Sequence, residues 1–193
     1  MITRILPVAV IVCCAASAGP RTTVANSLTL NGFLPSCESG RQYTFVSDSL
    51  RAEFSGKTVN LRAPNGRMQF TYEGGQSGGW QAEEPEAITV NLVRGGAPCS
   101  GLALSKTLSF RDLYQGISVR FQASGETLKS EYQVEPGADP RRIRLRYQAK
   151  PRIEAGELLI QGAYGVWKER PQVAWQPGGS GPGSSGKDPV AAK

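Results

Sequence analysis

The chain contains no histidine, and that absence removes more chemistry than any residue present supplies. Ser-His-Asp and Cys-His nucleophilic sites need an imidazole, and so does every zinc site with histidine ligands. Cysteine is scarce as well: there are four in 193 residues, and Cys13 and Cys14 sit in an N-terminal apolar run. The remaining pair, Cys37 and Cys99, is too few for a thiolate cage, so neither a metal nor a cofactor is expected. No stretch repeats its apolar positions every 3.6 residues or so, which argues against helices. Internal repeats of roughly 20–50 residues are missing too, which argues against a solenoid or propeller.

Long hydrophobic runs are limited to Ile5–Ala16, interrupted by Pro7, and a bilayer span takes about 20 residues. Arg4 precedes this run and Ala16-Ser17-Ala18 follows it, so residues 1–18 read as a signal peptide cleaved after Ala18. The alternatives are a retained membrane anchor or a lipoprotein. The second is disfavoured because Val12 or Cys13 would stand where a small residue is needed. Cleavage predicts an exported protein, extracellular, periplasmic or at the cell surface, with no transmembrane segment left. In such an oxidising compartment Cys37 and Cys99 are expected to form a disulfide. It would close a loop of about sixty residues and contribute on the order of 4 kcal/mol by the chain-entropy argument. Two unpaired thiols are the other possibility.

What the chain has is alternation. Residues 19–39 form a leader or a first edge strand, 40–176 a β-domain, and 177–193 (PGGSGPGSSGKDPVAAK) a flexible tail with little to bury. A hairpin turn at Asn65-Gly66 sets Ala63, Leu61 and Val59 opposite Met68, Phe70 and Tyr72, all on one face. A turn at Ser55-Gly56 sets Ala52 opposite Val59 and Leu50 opposite Leu61 on that same face. A second meander turns at Ser124-Gly125, with Phe121 opposite Leu128 and Ile117 opposite Tyr132, and continues beyond EPGADP through Ile143, Leu145 and Tyr147. Further strands are expected at 86–93, 105–110, 157–161 and 164–175. Two antiparallel sheets, each with one apolar face, bury those faces against each other. The predicted fold is therefore an all-β, antiparallel two-sheet β-sandwich, with a closed barrel as the alternative.

The runs LSFRDLYQGISVRF and LKSEYQVEPGADPRRIRLRYQ, with ELLIQGAYGVWKERPQVAWQ after them, resemble an uncharacterised domain of bacterial secreted proteins that lies N-terminal to SBBP-type β-propeller repeats. The matching pieces are Leu113 to Ile117, Val134 to Pro140, Ile143 to Tyr147, Gly156 to Leu158 and Arg170 to Gln176, all in the C-terminal half. Ser118 and Glu131 stand where that pattern has aspartates, the segment around Ala103–Lys106 is short, and no propeller repeats follow. The resemblance implies an exported or cell-envelope β-domain and carries over no catalytic or binding residues.

Read from the residues, Arg120, Lys129, Arg142, Arg144 and Arg146 all point away from the predicted core, with Glu131 among them. Such a face suits carboxylate, sulfate or phosphate groups through planar bidentate hydrogen bonds. A solvated sheet face protected from edge pairing is the plainer explanation. No aromatic interleaves on that face, so nucleic acid is not an expected partner. Trp80 follows a glycine-rich loop and is either a ligand contact or a hydrophobic plug. Asp139, before Pro140, reads as a turn cap, leaving a carboxylate-dependent hydrolase as a remote alternative. The expected function is a non-catalytic secreted or cell-envelope structural or interaction module, and no enzyme. Its partner is either another envelope or extracellular protein or an acidic polysaccharide.

Overall fold

The computed structural model describes residues 11–15, 30–64, 66–92, 99–125, 127–162, 165–170, 173–177 and 187–190. In chain order its strands are β1 (Ile11–Ala15), β2 (Gly32–Pro35), β3 (Gln42–Val46), β4 (Arg51–Ser55), β5 (Thr58–Ala63), β6 (Gly66–Tyr72), β7 (Gln81–Leu92) and β8 (Cys99–Tyr114). There follow β9 (Ile117–Ser124), β10 (Thr127–Val134), a 3-10 turn at Pro140–Arg142, β11 (Leu145–Tyr147), β12 (Pro151–Glu154), β13 (Glu157–Gln161), β14 (Val166–Glu169), β15 (Ala174–Pro177) and β16 (Lys187–Val190).

The all-β expectation holds. The two layers are halves of one curled 14-stranded sheet, in the order β11-β6-β5-β4-β3-β2-β8-β9-β10-β1-β14-β13-β12, with β7 also on β8. The long β8 carries the sheet from one layer to the other: it pairs with β9 along Thr107–Phe110, while Ser105 meets Phe33 of β2. That seam needs Gly32, since a Cβ there would lie 2.7 Å from the Ser105 carbonyl oxygen. Between the layers the apolar faces meet as predicted. Phe54 packs edge-on to Phe121 with ring centroids 5.0 Å apart, and Tyr72 packs on Tyr132 at 6.3 Å.

All three hairpins keep the predicted division of faces but differ by two residues in register. Ala52 pairs with Leu61, Leu61 with Met68, and Phe121 with Ser130. The physical reason lies in the loops. Gly56 and Gly125 each take the first loop position, with φ of 52° and 58°, which is where a II′ turn places its glycine. Pro64 opens the β5–β6 loop, a position its fixed φ suits; Asn65 lies outside the described residues. A shift of two leaves every side chain on its face.

Two expectations are corrected. Segment 143–147 does not extend β10; β11 crosses to the far edge of the other layer and pairs with β6, Arg146 opposite Thr71. β2 is no edge strand, since it lies between β3 and β8. Within the expected flexible tail, Lys187–Val190 pairs with Ala174–Pro177. Ile11–Ala15, inside the expected signal segment, is a strand between β10 and β14. Cys37 and Cys99 are disulfide-bonded with Cα atoms 5.9 Å apart, as predicted. No helix among the described residues is long and apolar enough to cross a membrane.

Candidate functional site

The PGADP turn and the approach to β11 build an open basin of about 490 Å³, lined by Glu73, Gly74, Tyr114, Asp139, Arg141, Arg142 and Arg144. Asp139 has the capping role expected of it: its Oδ1 accepts from the Arg141 backbone N–H at 3.0 Å. The Arg141 guanidinium adds a two-pronged pair, Nε to Oδ1 at 2.9 Å and Nη2 to Oδ2 at 3.0 Å. Those bonds hold the Asp139 carboxyl below its usual value. The Tyr114 hydroxyl donates to the Arg144 carbonyl at 3.1 Å and accepts from the Arg144 N–H at 3.3 Å, pinning the chain there. The same carbonyl accepts from the Glu73 N–H at 3.0 Å.

The four arginines of this region divide into two pairs. Arg141 is neutralised by Asp139, and Arg146 by an ion pair with Glu73. Among the described residues, the Arg142 guanidinium has a neutral partner, Gln115 Oε1 at 3.3 Å, and no acidic one. Among the described residues, Arg144 has no acidic partner. Two guanidiniums therefore stand at the basin with donors to spare, a geometry suited to carboxylate, sulfate or phosphate oxygens.

The other predicted cations lie elsewhere, so the five do not form one row. Arg120, on β9 in the other layer, is held by Glu84 at 2.5 Å and Glu83 at 3.9 Å. Lys129 pairs with Glu131 on its own strand at 3.0 Å. The row breaks because β11 joins β6 and not β10. Trp80 as a ligand contact is also corrected. It is 2 % exposed, donates Nε1–H to the Gly56 carbonyl at 2.8 Å, and packs edge-on against Phe54, Phe110 and Phe121. The indole is the plug that the adjacent glycine-rich loop lets into the core.

A second polar cluster escaped the sequence reading. Glu169 of β14 is 4 % exposed and accepts a 2.8 Å hydrogen bond from the Tyr147 hydroxyl of β11. Burial raises its carboxyl above the usual value, and the Tyr147 bond pulls the other way. Nearby, burial raises the hydroxyls of Tyr72 and Tyr132 well above the ordinary tyrosine value. The Tyr72 hydroxyl feels that of Tyr132 but, among the described residues, meets no partner in hydrogen-bonding geometry. Glu169, Tyr72 and Tyr132, with Leu128 and Ser130, line a cavity of about 10 Å³, room for about one water and no substrate. The signal for Glu169 was its place two residues after Trp167, on the same face of a short strand. No group of three or more His, Cys, Asp or Glu among the described residues is arranged to hold a metal ion.

No curated protein and no solved structure matches the chain. The family described as "Domain of unknown function (DUF7948)" matches residues 36–185, which takes in the first meander as well as the PGADP half. The chain belongs to this family of domains of unknown function.

Proposed function

We propose that the chain is an exported, non-catalytic interaction module that holds an acidic polymer, such as an envelope glycan, at the arginine basin. The carrying observation is that Arg142 and Arg144 line an open cavity of about 490 Å³ while their neighbours Arg141 and Arg146 are already neutralised. A guanidinium kept exposed, with no acidic partner among the described residues, beside neutralised ones is available to a ligand. Export is supported by the signal-like residues 1–18 and is compatible with the Cys37–Cys99 bond. The non-catalytic reading is supported by the absence of histidine, and by the enclosure of Glu169, whose raised carboxyl would otherwise suit a general acid. The likeness to domains preceding SBBP-type repeats supports a protein partner as a second reading.

Retention of the exported protein on immobilised polygalacturonate, measured across a sodium chloride series, tests this reading. Binding is expected to weaken steadily with salt and to be lost in the Arg142→Ser/Arg144→Ser variant. Retention indifferent to salt, or unchanged in that variant, overturns it.

A further inference from the structure

β1 fills a place that the rest of the sheet leaves open. It runs antiparallel to β10, from Ile11 opposite Glu131 to Cys14 opposite Leu128. On its other side it runs antiparallel to β14, with Cys14 opposite Glu169 and Ala15 opposite Lys168. β10 and β14 thus point the same way and, among the described residues, are joined in the sheet only through β1. The family match begins at residue 36, so this bridging strand precedes the shared domain.

We propose that the exported, cleaved domain presents the gap between β10 and β14 as an acceptor slot for one extended segment of a partner protein. This rests on the reading of the chain as an exported interaction module, and it names how a protein partner would attach. Without β1, two facing strand edges carry unpaired N–H and C=O groups, each of which needs a partner. An entering strand satisfies both edges at once, where ordinary strand addition satisfies one.

The gap is held open from below. Trp167 of β14 is 1 % exposed in the core, and Tyr147 of the opposite layer is hydrogen-bonded to Glu169 at 2.8 Å. Direct pairing of β14 with β10 would move β14 by about one strand spacing, 4.8 Å, and break both attachments. The slot also selects its occupant. Positions opposite Ser130 and Leu128 lie over the buried face, beside the enclosed Glu169, and require small or apolar uncharged residues. Positions opposite Lys129 and Glu131 lie over a partly exposed ion pair and admit polar residues. The partner segment is therefore about five residues of alternating pattern, uncharged at the inward positions.

The test uses protein exported with its own leader, whose N-terminus is first read by mass spectrometry. Retention of residues 1–18 in the exported protein leaves β1 between β10 and β14 and overturns the slot, whereas failure of the protein to reach the exported fraction refutes the export reading. On the processed protein, Lys129→Cys supplies the one free thiol, since Cys37 and Cys99 are bonded. The probe is a synthetic peptide of residues 9–17 carrying Cys14→Ser, so that Cys13, opposite Lys129 in the sheet, is its only thiol. With oxidised glutathione added as the two-electron oxidant, it should form a disulfide about tenfold faster than a peptide with Val12→Cys, Cys13→Ser and Cys14→Ser, because only facing positions lie within disulfide reach. On the unsubstituted processed protein, a cysteine-free form of the peptide should slow hydrogen exchange of β10 and β14 amides, and its Val12→Pro version should not. Equal cross-linking by both peptides overturns the slot. So do edges already protected without peptide, whether closed by each other or by the chain's own residues 19–29.

Discussion

The arginine basin and the tyrosine–glutamate cluster are both polar, and both include carboxylates, yet they are built on opposite terms. In the basin Glu73, Asp139 and the arginines stand in water, which screens an exposed ion pair and leaves it little weight in stability. In the cluster Glu169 sits 4 % exposed between layers, where one hydrogen bond from Tyr147 decides whether its charge is tolerable. The difference teaches where substitution acts. Wet charge is available to a ligand and nearly idle in folding, whereas dry charge is a tie between layers and has no access to a ligand.

The sharpest way to break this contrast starts on the dry side. Trp80→Ala empties the centre of the aromatic cluster of Phe54, Phe110 and Phe121 and should cost about 3–5 kcal/mol in denaturant unfolding. An unchanged midpoint would mean the indole is not in the core. Tyr147→Phe should cost about 1–3 kcal/mol by stranding the Glu169 carboxyl, and its pH dependence sharpens the point. A carboxyl raised by folding binds its proton more tightly in the folded state. Its stabilisation is therefore complete below the ordinary value of 4.5 and is lost as pH rises through the folded value. Tyr147→Phe should raise the folded value further and lose more stability at pH 7 than at pH 4, and Glu169→Gln should flatten that dependence.

At the alkaline end the same rule applies to Tyr72 and Tyr132. Their protons stay bound past the ordinary 10.0, so stability is present below that pH and falls as pH climbs beyond it. Tyrosinate absorbance from these two rings should appear together with loss of the near-ultraviolet dichroism, and titration well before unfolding would contradict their burial. The smallest effect belongs to the wet side. Arg142→Ser/Arg144→Ser should change stability by no more than about 0.5 kcal/mol. If it unfolds the domain, the basin is structural and the contrast fails.

The faces of the sheet could be read from the sequence, but its connections could not. Leu61, Met68, Phe70, Phe121 and Tyr132 fall inward as alternation requires, because a register error of two residues leaves the pleat unchanged. Which strand β11 joins is set by how far the PGADP turn carries the chain, and alternation is silent on that. Hence Arg142, Arg144 and Arg146 are exposed as expected, while Arg120 and Lys129 belong to another surface with their own acids. The dry cluster was hidden for a related reason: Tyr72, Tyr132, Tyr147 and Glu169 come from four separate strands and meet only in the folded sheet. Trp80 was ambiguous because a glycine-rich approach serves a mobile contact and a tight core entry equally well.

The Cys37–Cys99 bond also sets how the protein yields to pulling. The two cysteines are 62 positions apart and stand at the seam where the layers are joined through β2 and β8. Under tension applied at the chain ends, everything between them is withheld from stretching, about 210 Å of contour at roughly 3.4 Å per residue. In a force-extension trace the oxidised domain should lengthen by that much less than the reduced one. Under such a pull the chain can lengthen only outside the bonded loop, through β1 and β2 on one side and β8 onward on the other, while β3 to β7 stay held in a closed loop.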